Sequence, residues 1–176
     1  PKGDATRPTT SQMRQAVFNI CQNQVEGSCF LDICAGSGSM GIEALSRGAK
    51  EATFIDDSHF AIEAIRQNIK ALHLEDCSFV IAGDAMAALK KLEKQQKVFD
   101  LCYFDPPYSQ KKEHSTFSEA VLLFLDKSSL LAPEANLYME ESAHFAIEQL
   151  PLKSLTLKNK RRFGNSNLYC FTTLSL

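Results

Sequence analysis

An acid, two prolines and an aromatic residue stand together at Asp105-Pro106-Pro107-Tyr108, directly after the apolar run 98–104. The prolines fix their own φ angles and lack N–H donors, so the backbone here is rigid and presents carbonyl acceptors. The Asp105 carboxylate adds further acceptors, and the Tyr108 ring offers a flat face beside them. This set predicts a site that holds an NH₂ group on a planar ring, such as the exocyclic amine of a nucleobase. The alternative interpretation is a strand followed by a Pro-Pro turn.

A second motif, Gly36-Ser37-Gly38-Ser39-Met40-Gly41, follows the apolar segment 29–33. Its spacing matches the GxGxxG fingerprint, in which the backbone approaches a ligand closely and a helix N-terminus faces the ligand's polar groups. Asp56 ends the next apolar segment, where a carboxylate that binds ribose hydroxyls is expected. The motif alone does not separate NAD from another cofactor that contains adenosine.

Two acids favour S-adenosylmethionine over NAD as the cofactor. Asp32 lies four residues before Gly36, where a carboxylate suits a ligand with an ammonium group and a sulfonium. The alternative role for Asp32 is to accept hydrogen bonds from the backbone N–H groups of the glycine loop. The second acid is Asp105, whose acceptor-rich segment is not needed for hydride transfer.

Composition limits the classes of protein that this chain can belong to. It has 176 residues with 44% hydrophobic content, enough for one domain with a full core. The net charge of −2 gives no overall positive potential for holding nucleic acid. The six cysteines form no CxxC pair and show no metal-ligand spacing, which predicts a cytoplasmic protein without a metal site. We see no membrane-length apolar run, and because the chain begins at Pro1 we expect its natural N-terminus to be truncated.

Hydrophobic periodicity predicts helices that alternate with strands along the whole chain. Helices are predicted over residues 9–21, 40–47, 59–72, 85–95 and 115–125. Strands are predicted over 29–33, 52–56, 78–82, 98–104 and 137–141, with 154–158 and 167–172 as a closing antiparallel pair. This order predicts an α/β fold of Rossmann-like type: a mostly parallel seven-stranded sheet with helices on both faces and a C-terminal antiparallel hairpin. Four acids then fall at or just after strand ends, where such sheets bind ligands: Asp32, Asp56, Asp84 and Asp105.

These motifs resemble those of class I S-adenosylmethionine-dependent methyltransferases, and specifically the bacterial 16S ribosomal RNA guanine-N2 methyltransferases. The resemblance covers nearly the whole chain. It is carried by Arg7-Pro8-Thr9, by residues 14–19, by Leu31-Asp32 with Ala35-Gly36-Ser37-Gly38, by residues 41–49 and by Asp105-Pro106-Pro107-Tyr108. One departure is the acid that follows Asp56, and another is that the usual basic segment ahead of Arg7 is mostly missing. The resemblance implies a single methyltransferase domain over residues 1–176, in which 1–22 form a helical segment packed on the cofactor-binding core.

The resemblance also implies roles for individual residues. Asp105 and the carbonyl of Pro106 would accept the hydrogens of a guanine amine, with Tyr108 stacked on the base, in a catalytic site that needs no metal. S-adenosylmethionine would be bound by Asp32, Ala35, Gly36, Ser37, Gly38, Asp56, Asp84 and Ala85. Asp56 would bind the ribose and Asp84 the adenine, although Asp84 could also be the N-cap of the following helix.

Residues expected to contact RNA are basic. Lys160, Arg161 and Arg162 belong to a basic cluster near the last hairpin, which could instead be a solvated turn. Arg7 and Arg14 could contact the cofactor carboxylate or an RNA phosphate, or they could be surface charges. Because the chain carries so little positive charge, the expected partner is small-subunit ribosomal RNA within an assembled or assembling small subunit.

Two other functions stay open at this point. The Asp-Pro-Pro-Tyr motif also serves enzymes that methylate adenine N6 in DNA or RNA, or a protein amide. The glycine motif also fits a non-enzymatic or NAD-binding Rossmann domain.

Overall fold

The structure, a computed structural model, describes residues 11–107 and 112–175. Its strands are β1 (Cys29–Ile33), β2 (Glu51–Asp56), β3 (Ser78–Ala82), β4 (Phe99–Phe104), β5 (Leu131–Ser142), β6 (Leu155–Phe163) and β7 (Ser166–Thr173). Its helices are α1 (Ser11–Ile20), α2 (Ser39–Ser46), α3 (His59–Ala71), α4 (Ala85–Lys94) and α5 (Lys112–Lys127), with short 3₁₀ turns at Glu75–Cys77 and Ile147–Gln149. Within the described ranges no helix is long and apolar enough to cross a membrane.

The seven strands form one sheet in the order β3-β2-β1-β4-β5-β7-β6. Strands β1 to β5 pair in parallel, and β7 pairs antiparallel with both β5 and β6. This confirms the predicted Rossmann-like sheet with its closing antiparallel hairpin. The carboxyl ends of β1 to β5 therefore lie at one edge of the sheet, which we call the carboxyl edge. Strand β6 also ends at this edge, because two antiparallel pairings restore the direction of β5.

Helices cover both faces of the sheet because its strands carry apolar residues on both sides. One face, which we call the α2 face, packs side chains such as Phe30, Phe54 and Tyr138 against α1, α2 and α3. The opposite face, the α5 face, packs side chains such as Leu31 and Phe104 against α4 and α5. Polar groups that act on a ligand must therefore lie at an edge of the sheet.

Helix α1 lies beside α2 and runs in the same direction. Arg14, near the start of α1, pairs with Glu43 of α2, with 3.8 Å between Nε and Oε2. Phe18, near the end of α1, has the Arg47 guanidinium 5.0 Å from the centre of its ring. Since α2 begins at the carboxyl edge directly after the β1 loop, Ser11 also lies at that edge. The predicted helix start at Thr9 falls outside the described residues.

Two predicted strands differ from the observed ones. Strand β5 begins at Leu131, six residues before the predicted start, because Pro133 and the left-handed residue Glu134 (φ 60°) interrupt the apolar pattern there. Strand β6 continues to Phe163, so the prediction that it ends at Lys158 was wrong. Residues 156–162 are all exposed, and an exposed edge strand shows no apolar alternation by which to recognise it.

A buried carboxylate fixes the point where β6 begins. Asp126, in the last turn of α5, is only 3% exposed. Its Oδ1 accepts hydrogen bonds from the backbone N–H groups of Lys153 (3.0 Å), Ser154 (2.8 Å) and Leu155 (2.8 Å). These bonds join α5 to the first residues of the edge strand across 27 to 29 positions of sequence.

We expect Asp126→Ala to lower the free energy of unfolding by about 2–4 kcal/mol, because three backbone donors lose a charged acceptor. Asp126→Asn should cost less, since its amide oxygen can still accept. Urea unfolding followed by circular dichroism measures the change. The control is Asp76→Ala at an exposed acid, which should stay within about 0.5 kcal/mol of the parent chain. Equal midpoints for the alanine variants at positions 126 and 76 would show that the carboxylate does not fix β6.

Candidate active site

The loop between β1 and α2 turns sharply at the carboxyl edge. Cys34, Gly36 and Gly38 all have left-handed backbone conformations, with φ of 61°, 57° and 77°. The Ala35 N–H donates to the carbonyl of Ile55 (3.0 Å), which ties the loop to the end of β2. A Cβ atom on Gly41 would collide with the Phe54 ring, so the start of α2 packs directly on the sheet. The loop thus directs the N-terminus of α2 towards the carboxyl edge, as a phosphate- or cofactor-binding turn requires.

Asp56 supports this loop from the end of β2. Its Oδ2 accepts a hydrogen bond from the Gly36 N–H (2.8 Å), and its Oδ1 accepts one from the Ser58 N–H (2.9 Å). A carboxylate has about four lone-pair positions, so two bonds leave acceptor capacity on both oxygens. The half-buried Asp56 can therefore hold the loop and still accept from two vicinal hydroxyls.

Asp32 accepts a backbone hydrogen bond within the glycine motif, which was the predicted alternative to contact with the cofactor. It is 1% exposed, and its Oδ2 accepts from the Gly41 N–H (3.0 Å) on the α2 face. Burial raises the pKa of Asp32 to about 7; the Gly41 hydrogen bond opposes this rise and the charge of Asp56 adds to it. Asp32 can therefore gain or lose a proton near neutral pH.

Asp84 is the N-cap of α4, which is one of the two roles that were predicted for it. Its Oδ1 accepts from the Ala87 N–H at 2.8 Å, and Oδ2 takes no part in the cap. The preceding Gly83 N–H donates to the carbonyl of Asp56 (2.9 Å), which places the end of β3 against the end of β2. Ala85 is buried beneath the first turn of α4.

Asp105 lies beside the glycine loop. Its N–H donates to the carbonyl of Ile33 (3.2 Å), the last residue of β1. Asp105 is half-buried and Pro106 is buried, whereas Pro107 is exposed. Tyr108, the third predicted catalytic residue, lies outside the described residues. The structure thus joins the ends of β1 and β4 at the residue predicted to hold the amine.

Carboxyl groups surround Cys34 at this point of the edge. The pKa of the Cys34 thiol is raised well above its ordinary value, first by burial and then by the charges of Asp56, Asp105, Asp57 and Asp32. Of the predicted site acids, three therefore lie close to one another around the loop. A cluster of this sign favours a cationic ligand. In the part of the chain that the structure describes, no group of three or more His, Cys, Asp or Glu residues could hold a metal ion.

Four of the predicted RNA-binding residues are described, and they lie apart from this cluster. Lys160, Arg161 and Arg162 are exposed on β6, which is three strands from β4, or about 14 Å at the usual strand spacing. Arg14 is engaged by Glu43 of α2, and Arg7 lies outside the described residues. The four described residues therefore do not take part in the loop that surrounds Cys34.

The three residues of β6 that were predicted to bind RNA differ in their surroundings. Lys160 pairs with Glu148 (3.8 Å) and lies over the Tyr169 ring, and Arg162 Nε donates to the Gly164 carbonyl (3.0 Å). Arg161 faces the opposite way, onto the α2 face, where it is in register with Leu168. Among the described residues, no carboxylate forms an ion pair with Arg161.

One acid at the carboxyl edge was not among the predicted site residues. Glu140 lies near the end of β5, next along the chain from Met139, which is in register with Phe104 of β4. Its Oε2 accepts a hydrogen bond from the Tyr103 hydroxyl at 3.3 Å. The predicted strand 137–141 contains Glu140, so the rule that acids at strand ends face the ligand would have found it.

Solved structures of methyltransferases share this fold. The structure of yhhF from Escherichia coli superposes with a TM-score of 0.82 at 25% identity, covering 100% of this chain and 92% of that one. An RNA methyltransferase from Salinibacter ruber, solved in complex with S-adenosyl-L-homocysteine, gives a TM-score of 0.72 at 13% identity, with 97% and 95% covered. At that identity the second likeness concerns the fold alone.

Sequence comparison identifies the family. The family model described as Conserved hypothetical protein 95 matches residues 1–172, and the chain belongs to this family. YlbH of Bacillus subtilis is 32% identical over 162 residues, which are 92% of this chain and 85% of the relative. Ribosomal RNA small subunit methyltransferase D of Haemophilus influenzae is 29% identical over 137 residues, 78% of this chain and 68% of the relative.

The raised pKa of Asp32 predicts a stability difference that depends on pH. In the unfolded chain Asp32 ionises near its ordinary value of 3.8, whereas in the folded chain it ionises at about 7. Its contribution to stability is therefore complete below pH 3.8 and is lost as the pH rises through 7. Asp32→Asn keeps an acceptor for the Gly41 N–H and does not titrate. We expect the stability of this variant relative to the parent chain to rise by about 2–3 kcal/mol between pH 5 and pH 8.

Urea unfolding at a series of pH values checks this expectation. Parallel stability profiles for the parent chain and the asparagine variant would contradict it, because they would mean that Asp32 titrates alike in the folded and unfolded chains.

Proposed function

We propose that this protein transfers the methyl group of S-adenosylmethionine to the exocyclic N2 amine of a guanine in 16S ribosomal RNA. The observation that carries the proposal is the hydrogen bond from the Asp105 N–H to the Ile33 carbonyl. It places an acceptor-rich segment beside the negatively charged loop at which a cationic methyl donor would bind. The relatives named Ribosomal RNA small subunit methyltransferase D support the choice of ribosomal RNA.

The residues of the loop fit the cofactor. Ala35, Gly36, Ser37 and Gly38 would pass beneath it, since the left-handed glycines bring backbone rather than side chains towards the ligand. Asp56 has acceptor capacity for the ribose hydroxyls, and the buried Asp32 would act on the cationic end through its charge, from behind the loop. Asp84 Oδ2 and the Ala85 N–H would meet the adenine. When bound, S-adenosylmethionine supplies an electrophilic methyl group on a sulfonium.

Asp105 and Pro106 would prepare the amine for attack. The lone pair of guanine N2 is delocalised into the ring, so this nitrogen is a weak nucleophile. Accepting both of its hydrogens, at the Asp105 carboxylate and the Pro106 carbonyl, favours a pyramidal nitrogen whose lone pair points at the methyl group. The acceptors also stabilise the positive charge that develops on the nitrogen, and the Asp105 carboxylate would accept the proton that the methylated nitrogen loses. Tyr108 would hold the base by stacking.

The basic residues would bind the RNA outside this site. Lys160, Arg161 and Arg162 lie on a strand that ends at the same edge as β4, so a phosphate backbone could reach them from Asp105. Arg7 and Arg14 would add contacts near the start of α1. With a net charge of −2, the chain would depend on further contacts with an assembled or assembling small subunit in the cytoplasm.

A methyl-transfer assay with isotopically labelled S-adenosylmethionine tests the function. The substrates are small subunits from cells that lack the modification, free ribosomal RNA and DNA, and the products are digested to nucleosides. We expect label in N2-methylguanosine from the small-subunit RNA. Label in N6-methyladenosine or in protein would overturn the assignment of substrate.

Asp105→Ala in the same assay tests the chemistry. Loss of a preorganised acceptor should lower turnover with saturating RNA by about 10²–10³. Cofactor affinity and the unfolding midpoint should stay near those of the parent chain, because the contact with Ile33 is made by the backbone. A near-normal rate for this variant would contradict the catalytic role of Asp105. The segment would then be only a strand followed by a turn.

Lys160 and Arg161 lie on opposite faces of β6, which gives a prediction about RNA affinity. Arg161→Gln should lower the slope of log affinity against log salt concentration by about 0.7–0.9, the value for one lost phosphate contact. Lys160→Gln removes the same charge one residue away, but Lys160 already pairs with Glu148 on the opposite face, so its slope should change much less. Fluorescence anisotropy with labelled RNA at several salt concentrations measures both. Equal changes for the two variants would mean that the RNA does not distinguish the faces of β6.

A further inference from the structure

Glu140 occupies the position next to Asp105 along the carboxyl edge. Phe104 is in register with Met139, so Asp105, which directly follows β4, comes beside Glu140, which lies two residues before the end of β5. Strand spacing puts their backbones about 4.8 Å apart. Both follow residues of the α5 face, so alternation directs both side chains to the α2 face.

Contacts with the core hold the Glu140 side chain in place. Oε2 accepts from the hydroxyl of Tyr103, whose own side chain is 1% exposed and packed against the α2 face. Glu140 itself is half-buried, so part of its side chain is accessible from the edge. The carboxylate is therefore held on the α2 face and can be reached from the carboxyl edge.

The direction of the reaction places the purine ring near Glu140. In an in-line transfer the accepting nitrogen approaches the methyl group from the side opposite to the sulfur. The cofactor loop lies on the β1 and β2 side of Asp105, so the ring attached to the nitrogen extends the other way. The next strand on that side is β5.

Guanine presents two neighbouring donors to this edge, the N2 amine and the N1–H. Adenine presents an acceptor at N1 beside its amine, which a carboxylate would repel. Given the proposed function on which it rests, we propose that Glu140 accepts the guanine N1–H and thereby selects guanine as the base that is methylated. Asp105 and Pro106 hold the N2 amine, and Glu140 accepts the hydrogen bond from the neighbouring N1–H.

The probe is an RNA in which the guanine that the parent enzyme methylates, once mapped, is replaced by 2-aminopurine. This base keeps the amine at C2 but has an acceptor at N1. The parent enzyme should prefer guanine over 2-aminopurine by at least about 100-fold in kcat/KM, because the half-buried Glu140 carboxylate faces an acceptor when the base is 2-aminopurine. The amide of the Glu140→Gln variant can donate to N1 of 2-aminopurine. The ratio of kcat/KM for guanine to that for 2-aminopurine should therefore fall by at least about tenfold in this variant.

Glu141→Gln is the matched control. It removes the same charge at the adjacent residue, but Glu141 is held by the Ser118 hydroxyl and the Ser142 N–H. Its preference between the two bases should equal that of the parent enzyme. A general loss of folding or of RNA binding would lower both rates together and would not change their ratio.

Three outcomes decide the matter. A parent enzyme that methylates 2-aminopurine as fast as guanine would overturn the role of Glu140, and so would an unchanged ratio in Glu140→Gln. In both cases N2-methylguanosine would still be the product and the proposed function would stand. A ratio that narrows in Glu140→Gln and not in Glu141→Gln would support the assignment.

Discussion

The covering of both faces of the parallel sheet is the constraint on which the rest of this structure depends. Because α1, α2 and α3 bury one face and α4 and α5 bury the other, polar side chains can meet a ligand only where the strands end. The ends of β1, β2 and β4 bring Asp32, Asp56 and Asp105 together for this reason. The same geometry adds Glu140 from β5, a residue more than thirty positions from Asp105 in sequence.

Carboxylates that lie so close repel one another, and the structure offsets the repulsion in different ways. Asp56 is stabilised by two backbone N–H groups of the surrounding loops, from Gly36 and Ser58. Asp32 has a single such bond and is buried, so its pKa rises instead. A bound cation would relieve both residues. The negative charge of this cluster therefore favours a positively charged ligand.

The antiparallel extension brings positive charge to the same edge of the sheet. Strands β7 and β6 continue the sheet beyond β5, and β6 carries the basic residues towards the carboxyl edge. Its charges also protect an exposed edge strand from pairing with other chains. Because successive residues of a strand face opposite ways, Lys160 and Arg161 have different surroundings although they are neighbours. The Asp126 carboxylate, at the end of α5, holds the first residues of this strand in place.

Local patterns in the sequence determined the elements and the chemistry of the loop. Strands β1 and β3 begin and end where apolar periodicity predicted them, and the glycine motif and the strand-end acids were recognisable by spacing alone. These features are local, because each depends on a few neighbouring residues. The extent of β6 depended instead on pairing with β7, since its exposed charged residues show no apolar alternation. The hydrogen bonds of Asp126 to the start of β6 and the placement of Glu140 beside Asp105 were decided only by the tertiary structure, because strand order and helix packing bring distant residues together in ways that no local pattern records.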